Sequence, residues 1–232
     1  MNLAIVGYGK MGQLIHQLSP DYGFTVTQKL DEFNNVDQAA MTVENFGVVP
    51  VAIEFSTPDT VVPNVRRLAE LGVNCVIGTT GWLDRLDEVR DIVNTAGTGL
   101  VWSPNYSIGV NVFSRLVREA AHLLRDEKEY EAWAWEIHHS AKMDAPSGTL
   151  LKLVDEMRQG GYTANVDQSA SRAGKHPGTH EIGFDSAADT ITLRHSARSR
   201  EGFARGALKA AQWIAGKQGF HEFSEILFGK QQ

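Results

Sequence analysis

"NLAIVGYGKMGQLIHQL", Asn2–Leu18, is the stretch on which the fold turns. "NLAIVGY" is a short apolar run ending at glycine, as a strand buried on both faces would be. Beyond it Met11, Leu14, Ile15 and Leu18 recur at helical spacing. Gly7, Gly9 and Gly12 stand between the two in G-x-G-x-x-G order. The first glycine permits a tight turn, the second lets backbone approach a pyrophosphate, and the third lets helix pack closely on strand. The helix start then offers free N–H groups and a positive dipole end to phosphates. Strand, turn and helix in that order open a βαβ unit that binds a dinucleotide.

The same alternation continues outward. "FTVTQKL", "VVPVAIEFS", "NCVIGTTG" and "GLVWS" read as further strands, with Pro50 at the beginning of its strand rather than the centre. "TPDTVVPNVRRLAELG" reads as a helix capped by Thr57, entered through Pro58 and stopped by Gly72. "WLDRLDEVRDIVNTAG" carries Leu83, Leu86, Val89 and Val93 on one helical face. Strands alternating with helices predict a Rossmann-like, doubly wound parallel sheet. Ligands of such sheets collect at the strands' C-terminal ends. That places Gly78, Thr79 and Thr80 of "GTTGW", and "SPNYSIGVN" from Ser103, beside the cofactor. Asp31, 19 residues past Gly12, ends the second strand, where a carboxylate would meet a ribose 2′-hydroxyl. Lys29 would accept a 2′-phosphate instead, so NADH and NADPH both stay open.

The texture changes after about residue 106. "SIGVNVFSRLVREAAHLLRD" is a long amphipathic helix, and "YEAWAWEIHH" alternates strictly, as a half-buried strand does. Alternation puts Trp133, Trp135, Ile137 and His139 on one face and Ala132, Ala134, Glu136 and His138 on the other. A helix over about 147–159 follows, then a polar, glycine-rich stretch over 160–178. "HEIGFD" and "DTITLRHSA" read as an antiparallel pair, and "EGFARGALKAAQWIAGK" as a last helix before a short tail. The expected second body is a smaller α+β domain with an open mixed sheet. The dinucleotide-binding domain would span residues 1–105 and 206–232, and the substrate and oligomerisation domain 106–205.

In "HHSAKMDAPSGTLLKL", His138–Leu153, an ammonium and two imidazoles precede a helix start. Ser147, Gly148 and Thr149 supply free N–H groups and hydroxyls, Asp144 or Ser147 the cap, and Lys142 a point charge. Such a place suits a carboxylate or phosphate, and imidazoles exchange protons near neutral pH. A metal with Asp144 as third ligand is disfavoured by the lysine and by the lack of further ligands at familiar spacing. The expectation is no metal.

Across 232 residues, 42% are hydrophobic and 22% charged, enough for a packed core. A formal net charge of −6 argues against nucleic-acid and anionic-membrane binding. Cys75 is the only cysteine, which excludes an intrachain disulfide and fits a reducing compartment. The first residues lack a basic leader, and no apolar run nears the roughly 20 residues of a membrane span. A cytoplasmic protein is expected.

The blocks "GYGKMG", "EFSTP", "GTTG", "SPNYSIGVN", "EIHHSAKMDAPSGTL", "RAGKHPGTHEIGF" and "HSARSREGFARGALKAAQW" together resemble the dihydrodipicolinate reductase family, also called 4-hydroxy-tetrahydrodipicolinate reductase. The resemblance runs in family order from residue 7 to 213. It implies NADH- or NADPH-dependent reduction of a small dicarboxylate ring to tetrahydrodipicolinate in lysine and diaminopimelate biosynthesis. It also implies a homotetramer assembled through the open sheet. By resemblance His138 is the catalytic acid/base and Lys142 the proton donor. His139, Ser147, Gly148 and Thr149 would hold substrate. Gly7, Tyr8, Gly9, Lys10, Met11, Gly12, Asp31, Gly78, Thr79, Thr80, Ser103, Pro104, Asn105 and Tyr106 would hold cofactor. Arg172, His180, His195 and Arg200 lie in matched blocks as carboxylate ligands or structural ion-pair residues. Two other readings remain: a different Rossmann imine or amino-acid dehydrogenase, and a dinucleotide-binding regulator without turnover.

Overall fold

The computed structural model describes residues 1–229. The described chain divides into two compact units, one of residues 1–107 and 201–229, the other Ile108–Arg200. Residues 106–107 and 201–205, expected with the second domain, lie in the first unit. The last three positions of the expected 206–232 segment lie outside the described residues.

In the first unit the chain runs β1 (Asn2–Val6), α1 (Lys10–Leu18), β2 (Thr25–Leu30), α2 (Val43–Phe46), β3 (Val51–Glu54), α3 (Pro58–Glu70), β4 (Asn74–Ile77), α4 (Leu86–Ala96) and β5 (Gly99–Trp102). In the second it forms α5 (Ile108–Leu124), β6 (Glu131–His138), α6 (Gly148–Gln159), β7 (Val166–Arg172), β8 (Thr179–Asp185) and β9 (Thr190–Ser196). It then returns to the first unit as α7 (Glu201–Ile214), β10 (Gly219–Glu222) and α8 (Phe223–Phe228).

Six parallel strands in the order β10-β5-β4-β3-β1-β2 make the first sheet. Its strands are apolar because both faces are covered, and successive residues serve opposite cores. Ala4, Ala52, Cys75 and Leu100 face α3 and α4, packing with Val61, Val65, Leu68, Val89 and Val93. Leu3, Ile5, Ile53, Val76 and Val101 face α1 and α7, packing with Ile15, Ala207, Leu208 and Ile214. Small residues let α7 lie close, and a Cβ at Gly206 would fall 1.7 Å from the Tyr106 carbonyl oxygen. Buried Asn74 fastens the return: Nδ2 donates to the carbonyls of Ile214 (2.7 Å) and Lys217 (2.9 Å), and Oδ1 accepts from Gly99 N (2.7 Å).

The tail past α7 is not merely a tail. β10 adds the sixth strand beside β5, and Phe223 is fully buried. Gly219-Phe220-His221-Glu222 shows no hydrophobic alternation, because an edge strand needs only one partner and one covered face.

The second unit is a four-stranded mixed sheet, β7-β6-β8-β9, with α5 and α6 over one face. The polar stretch 160–178 contains β7, paired in parallel with β6 from Ala132↔Val166 to His138↔Arg172. Its residues are mostly exposed, so neither periodicity nor hydrophobicity marks it. β8 and β9 form the expected antiparallel pair. Ala132, Ala134, Glu136 and His138 are buried while the alternate residues are partly exposed, as the period-2 pattern requires. Among the described residues no helix is long and apolar enough to cross a membrane.

Candidate active site

In the first unit the three glycines of the opening motif do three different things. Gly7 has φ +94°, and a Cβ there would lie 2.1 Å from the Phe55 carbonyl oxygen. At Gly12 a Cβ would lie 2.4 Å from the Gly7 carbonyl oxygen, so helix and strand touch. Gly9 has nothing within 4 Å of its missing Cβ, which leaves open space where backbone must approach a ligand. A cavity of about 440 Å³ opens there, lined by Gly9, Lys10, Met11, Phe55, Ser56, Pro58, Gly78, Thr79 and Thr80. The N–H groups at the start of α1 face no capping side chain. These features fit the pyrophosphate of a dinucleotide.

Phe55, Ser56 and Pro58 follow β3 and were not singled out beforehand, although the rule for strand ends covers them as well as "GTTG". The Phe55 ring lies over Gly78, where a Cβ would come within 2.0 Å of it. Below them, fully buried Glu54 accepts from Ser56 N (3.2 Å) and Asn64 Nδ2 (3.3 Å), and Ser56 Oγ also donates to it. Burial pushes its carboxyl above the ordinary value.

The remaining expected cofactor residues are dispersed. Asp31 Oδ1 accepts from the N–H groups of Phe33 and Asn34, both at 3.0 Å, so a tight turn fixes the carboxylate just past β2. Tyr8 turns its hydroxyl to His16 Nδ1 at 2.6 Å. Ser103 Oγ donates to Asn105 O (2.8 Å), and Asn105 Oδ1 accepts from Ser107 N (2.9 Å). Tyr106 is buried, donates to Val101 O (2.9 Å) and packs on Phe223. Its side chain belongs to the core. The Ser103 hydroxyl and the Asn105 side chain thus brace the backbone of this loop.

In the second unit β6 ends at His138, and a turn closed by Lys142 N to His139 O (3.1 Å) reverses the chain. That turn supplies the bend needed to bring Lys142 back toward His138. His138 is buried and His139 half-exposed. Lys142 Nζ binds both oxygens of Asp144, at 2.8 and 3.0 Å. The Lys142 hydrogen bond, helped by the Gly148 N–H, holds the Asp144 carboxyl below its usual range. A carboxylate thus already sits between the ammonium and the start of α6. Ser147, rather than Asp144, caps α6, its Oγ accepting from Leu150 N at 3.2 Å. The same hydroxyl donates inward to Glu136, so it is not turned toward an incoming anion. The open face of the helix start is made by Gly148, with nothing within 4 Å of its missing Cβ, and by half-buried Thr149.

Behind this segment lies a charged group that alternation put on the buried face but gave no role. Glu136 is fully buried and accepts from Ser147 N (2.9 Å), Ser147 Oγ and Arg172 Nη2 (2.8 Å). Burial alone would raise its carboxyl. The Ser147 and Arg172 hydrogen bonds outweigh that and hold it below the ordinary value. His180 Nε2 is 3.3 Å and His138 Nδ1 3.6 Å from Glu136 Oε2. Burial pulls both imidazoles down, His180 to about 4, and the charges of Lys142 and Arg172 lower His138 further against the pull of Glu136. Glu136, His138 and His180 each bring a ligand atom within 4.8 Å of the others. Since both Glu136 oxygens already accept protein donors and a guanidinium binds one of them, the trio reads as a hydrogen-bonded carboxylate rather than a cation seat. His195 stacks on Phe113 instead, with ring centroids 5.9 Å apart. Gly178 leaves room for the catalytic candidate, since a Cβ there would come within 2.9 Å of His138 Nε2.

A parallel sheet with a glycine cradle is the make-up of a dinucleotide-binding protein, and the smaller unit on the same chain sets the buried Glu136 carboxylate beside two imidazoles. The family described as dihydrodipicolinate reductase, N-terminus, matches residues 1–106, and its C-terminus counterpart matches residues 109–227. The chain belongs to the dihydrodipicolinate reductase family. The 4-hydroxy-tetrahydrodipicolinate reductase of Christiangramia forsetii is 33% identical over 242 residues, 98% of each chain. That of Archaeoglobus fulgidus is 34% identical over 265 residues, covering 98% of this chain and all of its own. The dipicolinate-bound dihydrodipicolinate reductase of Paenisporosarcina sp. TG-14 shares the fold, with a TM-score of 0.80 at 20% identity over 97% and 99% of the two chains.

Proposed function

We propose that the protein catalyses NAD(P)H-dependent reduction of 4-hydroxy-tetrahydrodipicolinate to tetrahydrodipicolinate, a step of lysine and diaminopimelate biosynthesis. Family membership supports the reaction. The observation that carries the site is the carboxylate of Asp144 lying between Lys142 Nζ and the start of α6. A substrate carboxylate would take the same donors, with His139 and Thr149 beside them. Loss of the 4-hydroxyl as water would give the imine-conjugated ring, and the reduced nicotinamide, when bound, would supply the hydride for its conjugated carbon. The electron density left in the ring then needs a proton. Lys142 Nζ would donate it, and His138, whose imidazole burial holds below its ordinary value, would pass on a proton that it first accepts. Lys142→Ala and His138→Ala are each expected to cut kcat by ~10²–10⁴ without unfolding the protein. Absorbance of NADH and NADPH, followed with the freshly made condensation product of pyruvate and aspartate semialdehyde, tests the reading; no oxidation of either would overturn it.

NADH is proposed as the preferred cofactor. Asp31 and Glu32 stand together just past β2, and Lys29 Nζ is drawn over the Tyr8 ring at 5.7 Å from its centroid. A ribose 2′-hydroxyl can donate to Asp31, whereas a 2′-phosphate would meet two carboxylates. The expected outcome is a kcat/KM for NADH about tenfold or more above that for NADPH. Equal values would remove Asp31 and Glu32 as the selectors.

A homotetramer is proposed through the uncovered face of the second sheet. Trp133 and Trp135 lie half-buried there, the indole of Trp133 over Gly183. Light scattering on the eluting protein checks the mass. With Cys75 buried and free, a cytoplasmic location is proposed.

A further inference from the structure

We infer that Glu136 is a positioning residue: one buried carboxylate that holds both ends of the loop between Lys142 and the start of α6. The inference rests on the reductase reading for its substrate but on geometry for its mechanism.

One arm is direct. Glu136 accepts from the N–H of Ser147 at 2.9 Å and from its hydroxyl, and the same hydroxyl caps α6 through Leu150 N. The other arm passes through Arg172. Its Nη2 donates to Glu136 Oε1 at 2.8 Å and also to the carbonyl oxygen of Asp144, while Nε reaches the carbonyl oxygen of Lys142 at 3.4 Å. The guanidinium therefore brackets the backbone at 142 and 144, and the carboxylate holds the guanidinium. Glu136 lies two residues before His138 on the same face of β6, so loop and imidazole share one rigid strand. Arg172 comes from β7 and pairs with His138 in register, which brings its guanidinium to Glu136. A fork of donors on one guanidinium and two acceptor oxygens on one carboxylate are what such a double bracket requires. This assigns Arg172 to the loop rather than to substrate. It makes His180, at 3.3 Å from Glu136, a packing neighbour of the bracket.

Glu136→Gln keeps the volume and one acceptor but presents an NH₂ to a donor. Displacing the loop by about 1 Å should lower kcat/KM for the ring substrate on the order of 10²-fold. KM for NADH should stay within about twofold, because its site lies in the other unit. In a Lys142→Ala background the same change should cost only about tenfold, since part of what it misplaces is already gone. Full additivity, or a parallel loss of NADH binding, would overturn the inference and leave a merely structural acid. If wild-type protein shows no turnover, the reductase reading fails by itself. Calorimetric binding of pyridine-2,6-dicarboxylate then reads the bracket, with a tenfold or greater loss expected for Glu136→Gln and unchanged affinity counting against it. Should Glu136→Gln not fold, Arg172→Gln, which cuts only the second arm, takes its place with the same expected and overturning results.

Discussion

His180 is 95% buried on β8, and burial followed by the neighbouring His138 pushes its imidazole from the ordinary 6.5 down to about 4, against the pull of Glu136. A histidine depressed in the folded state is kept neutral there, while the unfolded chain protonates near 6.5. Between those values the unfolded state binds more protons, so stability rises with pH. The contribution is complete above about pH 6.5 and is lost progressively as pH falls from there through about 4, on the order of 3 kcal/mol. Urea unfolding at pH 7, 5.5 and 4 should therefore show falling stability in wild type and a flatter profile in His180→Gln. Identical slopes would mean that other groups carry the acid limb. The sequence put His138 on the buried face and His139 on the more open one, because strand alternation is local, and the two differ in burial accordingly. It could not show that Glu136 gathers Ser147, Arg172 and His180, because those partners come from an α-helix start and two other strands. For the same reason Ser147 and Tyr106 were expected at ligands, whereas Ser147 turns to Glu136 and Tyr106 to the core.

The β1–α1 turn separates two kinds of glycine requirement that the motif alone runs together. Gly12→Ala would put a methyl 2.4 Å from the Gly7 carbonyl oxygen and 3.1 Å from the Ile5 side chain. A loss of about 1–3 kcal/mol is expected in denaturant unfolding, whether or not cofactor is present. Gly9 has an ordinary φ of −80° and open space before it. Gly9→Ala should stay within about 1 kcal/mol of wild type in stability and lose NADH affinity about tenfold or more, read by fluorescence titration. The reverse pattern would mean that the cavity past Gly9 is not the pyrophosphate site. Central strands were legible because burial on both faces makes them continuous and apolar, as in Ala4-Ile5-Val6 and Cys75-Val76-Ile77. β7 and β10 were not, and both are edges: their place is set by pairing with β6 and β5, which no local pattern records.

The chain leaves its first unit after Ser107 and re-enters it at Glu201, so the dinucleotide fold is discontinuous while the second unit is a single uninterrupted stretch. Each unit has a core of its own, and each carries one of the two groups of candidate ligand residues. Amide hydrogen exchange should accordingly give two separate footprints, since a ligand slows opening of the segments that it holds. NADH alone should protect the peptides around Gly7–Gly12, Phe55–Pro58 and Gly78–Thr80. Pyridine-2,6-dicarboxylate alone should protect those around His138–Thr149. Protection of His138–Thr149 by NADH with none at Gly7–Gly12 would reverse the allotment of cofactor and substrate. In Glu136→Gln the dicarboxylate footprint should fade while the NADH footprint stays. That difference would place the loss in the Lys142 loop and not in a general loosening of the protein.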